Sequence, residues 1–411
     1  MTSLASLITR KRLTVWGTAL LLLSWGIYLH TMLVPGLIDR AGRFKGTDHI
    51  AFYVMGSLAL EGRMDALYDP QANLEEGRRR IDSGLNLFMS HPNYGPQVAI
   101  GFAPLATLRY LVSLTLFLTI TAAFYGLAVW LVWRELPALR QDLPLIVLLA
   151  AASPLFFALL RYAQLSAISL LLWAIAFVAF RRQRPFLAGL AVGGLAFKPQ
   201  MGLIIGIVLI AAREWRTVAG ASITALGQLG VAWLVAGSAA MLAYFRVLWT
   251  LLLNPALVQV FPSEVHSVRG FAQLLIQSSA VITAVSLAAL VIAMVGAARV
   301  WRSGAPLGVR FALVMMFTML GSPHFLTYDL LLLTLPLLVF ADWAMTHRDD
   351  GRQPAVALLL VALYLSPFSS QIVARLTHVQ VSTLAMAATA WLMSVVALSR
   401  TPGATQQTSH R

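Results

Sequence analysis

Long apolar runs, separated only by brief polar punctuation, constrain this chain more than any other feature. After Arg10-Lys11-Arg12 the chain stays apolar from Leu13 to Leu33, about the length needed to cross a bilayer. Further runs of this kind occupy 110–133, 144–160, 163–180, 186–197, 200–212, 217–237, 280–298, 307–321, 325–341, 354–370 and 379–398. A helix satisfies its own backbone hydrogen bonds in lipid, so each run is predicted to be helical. Charged residues make up 11% of the chain, against about 25% in soluble domains. An all-α polytopic membrane protein with about 12 transmembrane helices is therefore expected. No small-residue cleavage pattern follows the first run, so it reads as a retained span rather than a signal peptide.

Two polar intervals interrupt the pattern, 34–109 and 238–279. The first is predicted to hold a short surface helix over Ile50 to Leu60, a turn-rich piece from Gly62 to Asp69 and a charged helix over Glu75 to Ile81. Val98 to Leu108 is apolar but only about half the spanning length, and reads as re-entrant or interfacial. Residues 1–400 form one predicted membrane domain, with a disordered cytoplasmic tail at 401–411.

Charge orients the chain. The net charge of +14 does not require nucleic acid, because in a membrane protein basic residues collect in cytoplasmic loops. With Arg10-Lys11-Arg12 inside, the inward connections carry Arg134, Arg140, Arg181, Arg182, Arg184, Arg213, Arg216, Arg299, Arg302, Arg348 and Arg352. Short outward connections carry only Arg161, Lys198 and Arg375. Both termini are thus expected in the cytoplasm, and both polar intervals outside. Counting 98–108 as a true span would invert everything after it and break the pattern.

The polar chemistry gathers on the outward face. Asp48, His49, His91, Arg161, Gln164, Lys198, Gln200, His266, Arg269, His324, Asp329, Arg375 and His378 all lie on or near it. Asp48 and His49 open the first interval within Gly46-Thr47-Asp48-His49-Ile50-Ala51-Phe52-Tyr53. Asp and Glu number only 16, so a carboxylate there is a marked choice. Lys198 interrupts Gly189-Leu-Ala-Val-Gly-Gly-Leu-Ala-Phe-Lys-Pro-Gln200, where Pro199 breaks the helix and the glycines permit close packing. His324 sits in Gly321-Ser322-Pro323-His324-Phe325-Leu326-Thr327-Tyr328-Asp329, another broken hairpin tip. Ionisable groups at such depth normally face a cavity or a partner. A snorkelling lysine and simple helix caps are the structural alternatives at these tips. His91-Pro92-Asn93-Tyr94-Gly95-Pro96 is a stiff aromatic turn whose amide and ring also suit a sugar. Absence of cysteine removes thiolate chemistry and Cys-based metal sites, and no tight His/Asp/Glu spacing announces a metal. There is no P-loop, dinucleotide fingerprint or nucleophile elbow.

Taken in order, these pieces resemble glycosyltransferase family 87, GT-C-type membrane enzymes that use polyprenyl-phosphate sugars. The resemblance is carried by Asp48 to Tyr53 with Glu61-Gly62, by Leu67-Tyr68-Asp69, and by Tyr94-Gly95-Pro96 leading to Ala103-Pro104-Leu105. Gly189 to Gln200 and Ser322-Pro323-His324 through Tyr328-Asp329-Leu330 complete it. Two departures stand out: Gly95 where the family usually has proline, and Arg161-Tyr-Ala-Gln-Leu-Ser in place of the usual Gly-Gln-x-Asn.

The resemblance implies a GT-C-type bundle with short interfacial helices in its extracytoplasmic loops. It also implies Asp48 as the base and His324 as a residue important to activity. The substrate-binding set expected around them is His49, His91, Tyr94, Gln164, Lys198, Gln200, His266, Arg269, Tyr328 and Asp329. The implied reaction is inverting transfer of a hexose, mannose by analogy with relatives, from a polyprenyl-phosphate donor to a lipid or glycan acceptor, with no cofactor or metal. The rival class is a transporter or lipid-linked glycan flippase, which is expected to show repeated halves and helices broken at the midplane. A ligase joining preformed lipid-linked glycans shares the outer-face chemistry.

Overall fold

The computed structural model describes residues 8–85, 93–253 and 261–399. Among them there is no strand, only isolated bridges Ile38–Phe44 and Val265–Leu326. The first span is α1, Arg10–Met32. The first polar interval then folds as α2 (His49–Leu60), α3 (Pro70–Arg80) and α4 (Pro96–Ala106). The charged helix begins five residues earlier than expected because Asp69 caps it, accepting from the amides of Gln71 and Ala72, with Pro70 at the first helical position. The 11-residue α4 is far too short to span and packs along α2. Gly56 makes that packing possible, since a Cβ there would collide with the Phe102 carbonyl.

The bundle continues with α5 (Tyr110–Arg134), α6 (Leu143–Ala151), α7 (Pro154–Tyr162), α8 (Ser166–Arg181), α9 (Pro185–Gly194), α10 (Pro199–Ala211) and α11 (Trp215–Leu253). It closes with α12 (Val268–Leu275), α13 (Ser279–Trp301), α14 (Leu307–Gly321), α15 (Thr334–Thr346), α16 (Gln353–Thr377) and α17 (Val381–Leu398). The α9–α11 contact is tight: a Cβ on Gly189 or Gly193 would strike the carbonyl of Thr217 or Ala221 on the facing helix. These are the glycines the sequence marked for close packing.

One expectation needs correction. Residues 238–253 are not a polar loop but a helical continuation of α11 beyond a break at Gly237, whose φ of 78° no helix contains. In addition, only six helices among the described residues are long and apolar enough to cross a membrane, or eight if each bent pair, α6 with α7 and the two parts of α16, counts as one span. The other four predicted spans are α8, α9, α10 and α14, of 16, 10, 13 and 15 residues. At about 1.5 Å per residue, α8, α10 and α14 cover only roughly 20–24 Å of a hydrocarbon core near 30 Å, and α9 with its following 3₁₀ turn does no better.

That shortness positions the site. The arginine-bearing connections are bound to one another: Arg182 to Glu135 at 3.1 Å, Arg10 to Asp142 at 2.7 Å, and the Ala138 amide to Asp342 at 2.8 Å. The short helices run from those connections and stop at Ser166, at Lys198 and at Ser322. Their polar far ends, Ser166, Lys198 and Ser322, are buried within the bundle.

Candidate active site

Asp48 joins this buried polar cluster through a chain of local constraints. Gly46 takes a φ of 66°, and a Cβ there would meet Leu114. The Tyr110 hydroxyl donates to the carbonyls of Lys45 and Gly46 at 2.8 and 3.0 Å, and the Asp48 amide donates to the Tyr162 carbonyl at 3.2 Å. Although Asp48 stands at the N-cap of α2, its side chain makes no cap hydrogen bond. It accepts instead from Gln164 Nε2, 2.9 Å from Oδ2. Gln164 is itself locked, because its Oε1 accepts from the Tyr94 hydroxyl at 3.1 Å and from the Leu165 amide at 2.9 Å. The Tyr94 carbonyl in turn accepts from the Tyr68 hydroxyl at 2.9 Å. Oδ1 of Asp48 has no hydrogen-bond partner among the described residues.

Part of Asp48 remains exposed, yet the surrounding protein strips water from its carboxylate. Burial pushes its pKa up to about 6, against the opposing pull of the Gln164 hydrogen bond and the Lys198 charge. A carboxylate ionised at neutral pH, with one oxygen anchored and the other free, suits a proton acceptor.

Lys198 and Asp329 meet beneath it. Nζ lies 2.5 Å from Oδ1 in an ion pair with 4% and 1% side-chain exposure. Ser166 Oγ donates to the same oxygen at 2.6 Å, and the Leu326 amide approaches Oδ2 at 3.3 Å. Lys198 also stands 5.0 Å from the Tyr328 ring centroid, and Tyr328 packs edge-on against Tyr162 at 5.5 Å. The charge of Lys198 is thus already balanced. Its expected role as a free phosphate-binding cation does not match this geometry, since Asp329 sits where a phosphate oxygen would.

His324 and Arg269 are arranged differently. Residues 265 and 266 bridge to the 325–326 segment, with the His266 amide donating to the Phe325 carbonyl at 2.7 Å. This brings Arg269, near the start of α12, close enough to His324 for its charge to act on the imidazole. Burial first, and Arg269 second, lower the His324 pKa to about 4, so the ring is neutral at pH 7. Both side chains are partly buried, and neither has an ion-pair or hydrogen-bond partner among the described residues. Arg269 stays charged despite burial.

Other expected site residues take structural places. His49 is fully buried in an aromatic cluster, stacked on Phe117 at 5.1 Å and bonded to Ser113 at 3.1 Å. His266 is also fully buried, held by Ser382 at 2.6 Å and Thr327 at 3.0 Å, and so fastens three segments together rather than meeting a ligand. Gln200 is half-buried at the start of α10 and makes no hydrogen bond to the Asp48 cluster. Tyr94 and Gln164 lie at the site as supports of Asp48, and Tyr328 and Asp329 as supports of Lys198. His91 lies outside the described residues. No group of three or more His, Asp or Glu is placed to hold a metal among the described residues. Sequence reasoning missed Gln371 and Gln380, which bind Thr327 Oγ1 at 2.7 Å and the Ser263 carbonyl at 3.0 Å. It also missed Glu264, paired with Arg375 at 3.5 Å and close enough for its charge to act on Asp48. Nothing in their spacing marks them out; they arrive through long-range packing.

A polytopic helical membrane protein with a buried, carboxylate-bearing polar cluster defines the broad class. The model of glycosyltransferase family 87 matches residues 93–323, more than half of the chain, and the protein belongs to that family. It is a glycosyltransferase, with a sugar donor and an acceptor as substrates. The match contains Tyr94, Gln164, Lys198, Gln200, His266 and Arg269, whereas Asp48 precedes it and His324 falls just beyond it. No curated protein and no solved structure matches the chain significantly.

Proposed function

We propose that this glycosyltransferase transfers a hexose, mannose by analogy, from a polyprenyl-phosphate donor to a lipid or glycan acceptor with inversion, at the extracytoplasmic face of the cell membrane. One observation carries the reading: Asp48, with one oxygen held by Gln164 and the other free, lies within reach of the charges of Glu264 and Asp329, on the two joined segments that also carry Arg269 and His324. Asp48 takes the proton of an acceptor hydroxyl, whose oxygen attacks the anomeric carbon. The bond from that carbon to the phosphate oxygen breaks, and its electron pair leaves with the polyprenyl phosphate. Arg269 supplies the positive charge for the departing phosphate, and neutral His324 supplies an N–H donor. Stabilising the charge that develops on the leaving group commonly lowers the barrier more than any other single effect, and base catalysis adds about 10²–10⁴-fold.

The test is to incubate purified protein in detergent with a panel of polyprenyl-phosphate hexoses, with and without candidate acceptors, and to follow release of polyprenyl phosphate. Acceptor-dependent release from one member is expected, with the anomeric configuration of the product opposite to that of the donor. Release only from nucleotide sugars, or retention of configuration, would overturn the donor or the mechanism respectively.

A further inference from the structure

A cavity of about 960 Å³ lies between α1 and the faces of α5, α6, α15 and α16, and shares no lining residue with the Asp48 site. It exists because α1 touches the bundle narrowly. Buried Gly17 comes close to Leu148 and Leu149, while much of α1 stands exposed, Trp16 at 48% and Leu23 at 57%. The walls are hydrocarbon from Leu20, Leu23, Ile146, Leu338, Leu360 and Val361. Toward one end the backbone is sealed: Trp25 Nε1 donates to the Ala151 carbonyl at 3.1 Å, its ring meets Phe157 edge-on at 5.2 Å, and the Tyr364 hydroxyl donates to the Leu149 carbonyl at 2.7 Å.

The opposite end is charged. The ionic lining residues, Arg10, Asp142 and Arg348, all come from the arginine-rich connections, and together carry one net positive charge. Asp142 engages Arg10 through Nε, leaving both terminal nitrogens of that guanidinium to donate elsewhere. Arg348 is exposed and has no carboxylate partner among the described residues. From Arg10 to Leu23 the wall of α1 rises roughly 20 Å, about half of the 40–45 Å of a bilayer with its headgroups. The cavity is therefore one leaflet deep, apolar along its length and cationic at headgroup level.

We propose that it binds one anionic diacyl phospholipid of the leaflet facing the arginine-rich connections. The acyl chains fill the space between α1 and the bundle, and the phosphate is met by Arg10 and Arg348. The lipid completes the seating of α1, which otherwise has few side chains to pack against.

Native mass spectrometry of the delipidated full-length protein tests this, by titration with dioleoyl phosphatidylglycerol, dioleoyl phosphatidylcholine and a polyprenyl phosphate. One phosphatidylglycerol should bind in clear preference to the other two. The double variant Arg10→Ala/Arg348→Ala should weaken it by roughly 30-fold, the loss expected for two arginines at a lipid surface. Arg10→Lys/Arg348→Lys should retain most of the binding, and Ala19→Trp, which fills the cavity with both arginines intact, should abolish it. Equal uptake of both phospholipids, or indifference to Ala19→Trp, would reduce the site to ordinary boundary lipid. Preference for the polyprenyl phosphate would also overturn the proposal, making the cavity a place for the donor's lipid.

Discussion

At the scale of single residues, the outcome turns on how Asp48 is held. A helix cap tolerates Asn as well as Asp, but the Asp48 side chain caps nothing and accepts from Gln164. Asp48→Asn is expected to fold and bind donor while losing about 2–4 orders of magnitude in turnover, measured as polyprenyl phosphate release. Should it retain wild-type turnover, Glu264 becomes the candidate base despite its 3.5 Å pairing with Arg375, because Asp329 is buried against Lys198 and Asp69 caps α3. The pH profile gives an independent readout. Burial raises the pKa of Asp48 above its ordinary value, so the base is protonated and idle below about 6, and activity should climb through that pH. The Gln164 hydrogen bond stabilises the ionised form, so Gln164→Leu should shift the acid limb upward as well as lower kcat. A lower kcat with an unmoved limb would leave Gln164 a packing residue. The same sign applies to stability. A raised carboxyl pKa means the folded state holds the proton more tightly, so this group opposes folding increasingly as pH rises from the ordinary carboxylate range to about 6.

At the scale of elements, the buried Lys198–Asp329 pair joins the α9–α10 break to the turn before α15. Removing one partner of such a pair typically costs about 3–5 kcal/mol, because the other charge is left buried and uncompensated. Lys198→Met should therefore lower the thermal midpoint markedly, and Lys198→Met/Asp329→Leu should recover most of it. A fully active Lys198→Met of normal stability would contradict the pairing. His324→Ala and Arg269→Ala should instead leave stability nearly unchanged and reduce turnover, since neither residue has a protein partner to lose among those described. The α9–α11 crossing makes its own prediction. Gly193→Leu forces two backbones apart at a contact with no room for a Cβ, and should destabilise the protein by more than the roughly 1–3 kcal/mol usual for overpacking.

At the scale of the whole molecule, polarity is segregated. One face ties together Arg10, Glu135, Asp142 and Arg182, and the other holds Asp48, Gln164, Lys198, His266 and Asp329. The positive-inside rule predicts the second face outside. The chain contains no cysteine, so Thr47→Cys and Asp349→Cys can each be read singly. An impermeant thiol reagent should label the first in intact cells and the second only after they are opened. The reverse pattern would invert the orientation and remove the case for a donor delivered on the outer leaflet.

The helical, membrane-embedded architecture was legible along the chain, because apolar run length is a property of neighbours in sequence. Lys198 and His324 stood out for a related reason: an ionisable group in a break between apolar runs is costly wherever the chain folds, so its presence is a signal in itself. What such a charge touches is not encoded locally. Lys198 reads as a free cation until Asp329, 131 residues away, is brought within 2.5 Å of it. His49 and Gln164 look equally eligible as substrate ligands. Packing sends the first into an aromatic core and sets the second against Asp48, 116 residues distant. Helix length belongs with these: four short helices read as spans by hydropathy, and only the structure shows where each one stops and which polar residues meet at its buried end.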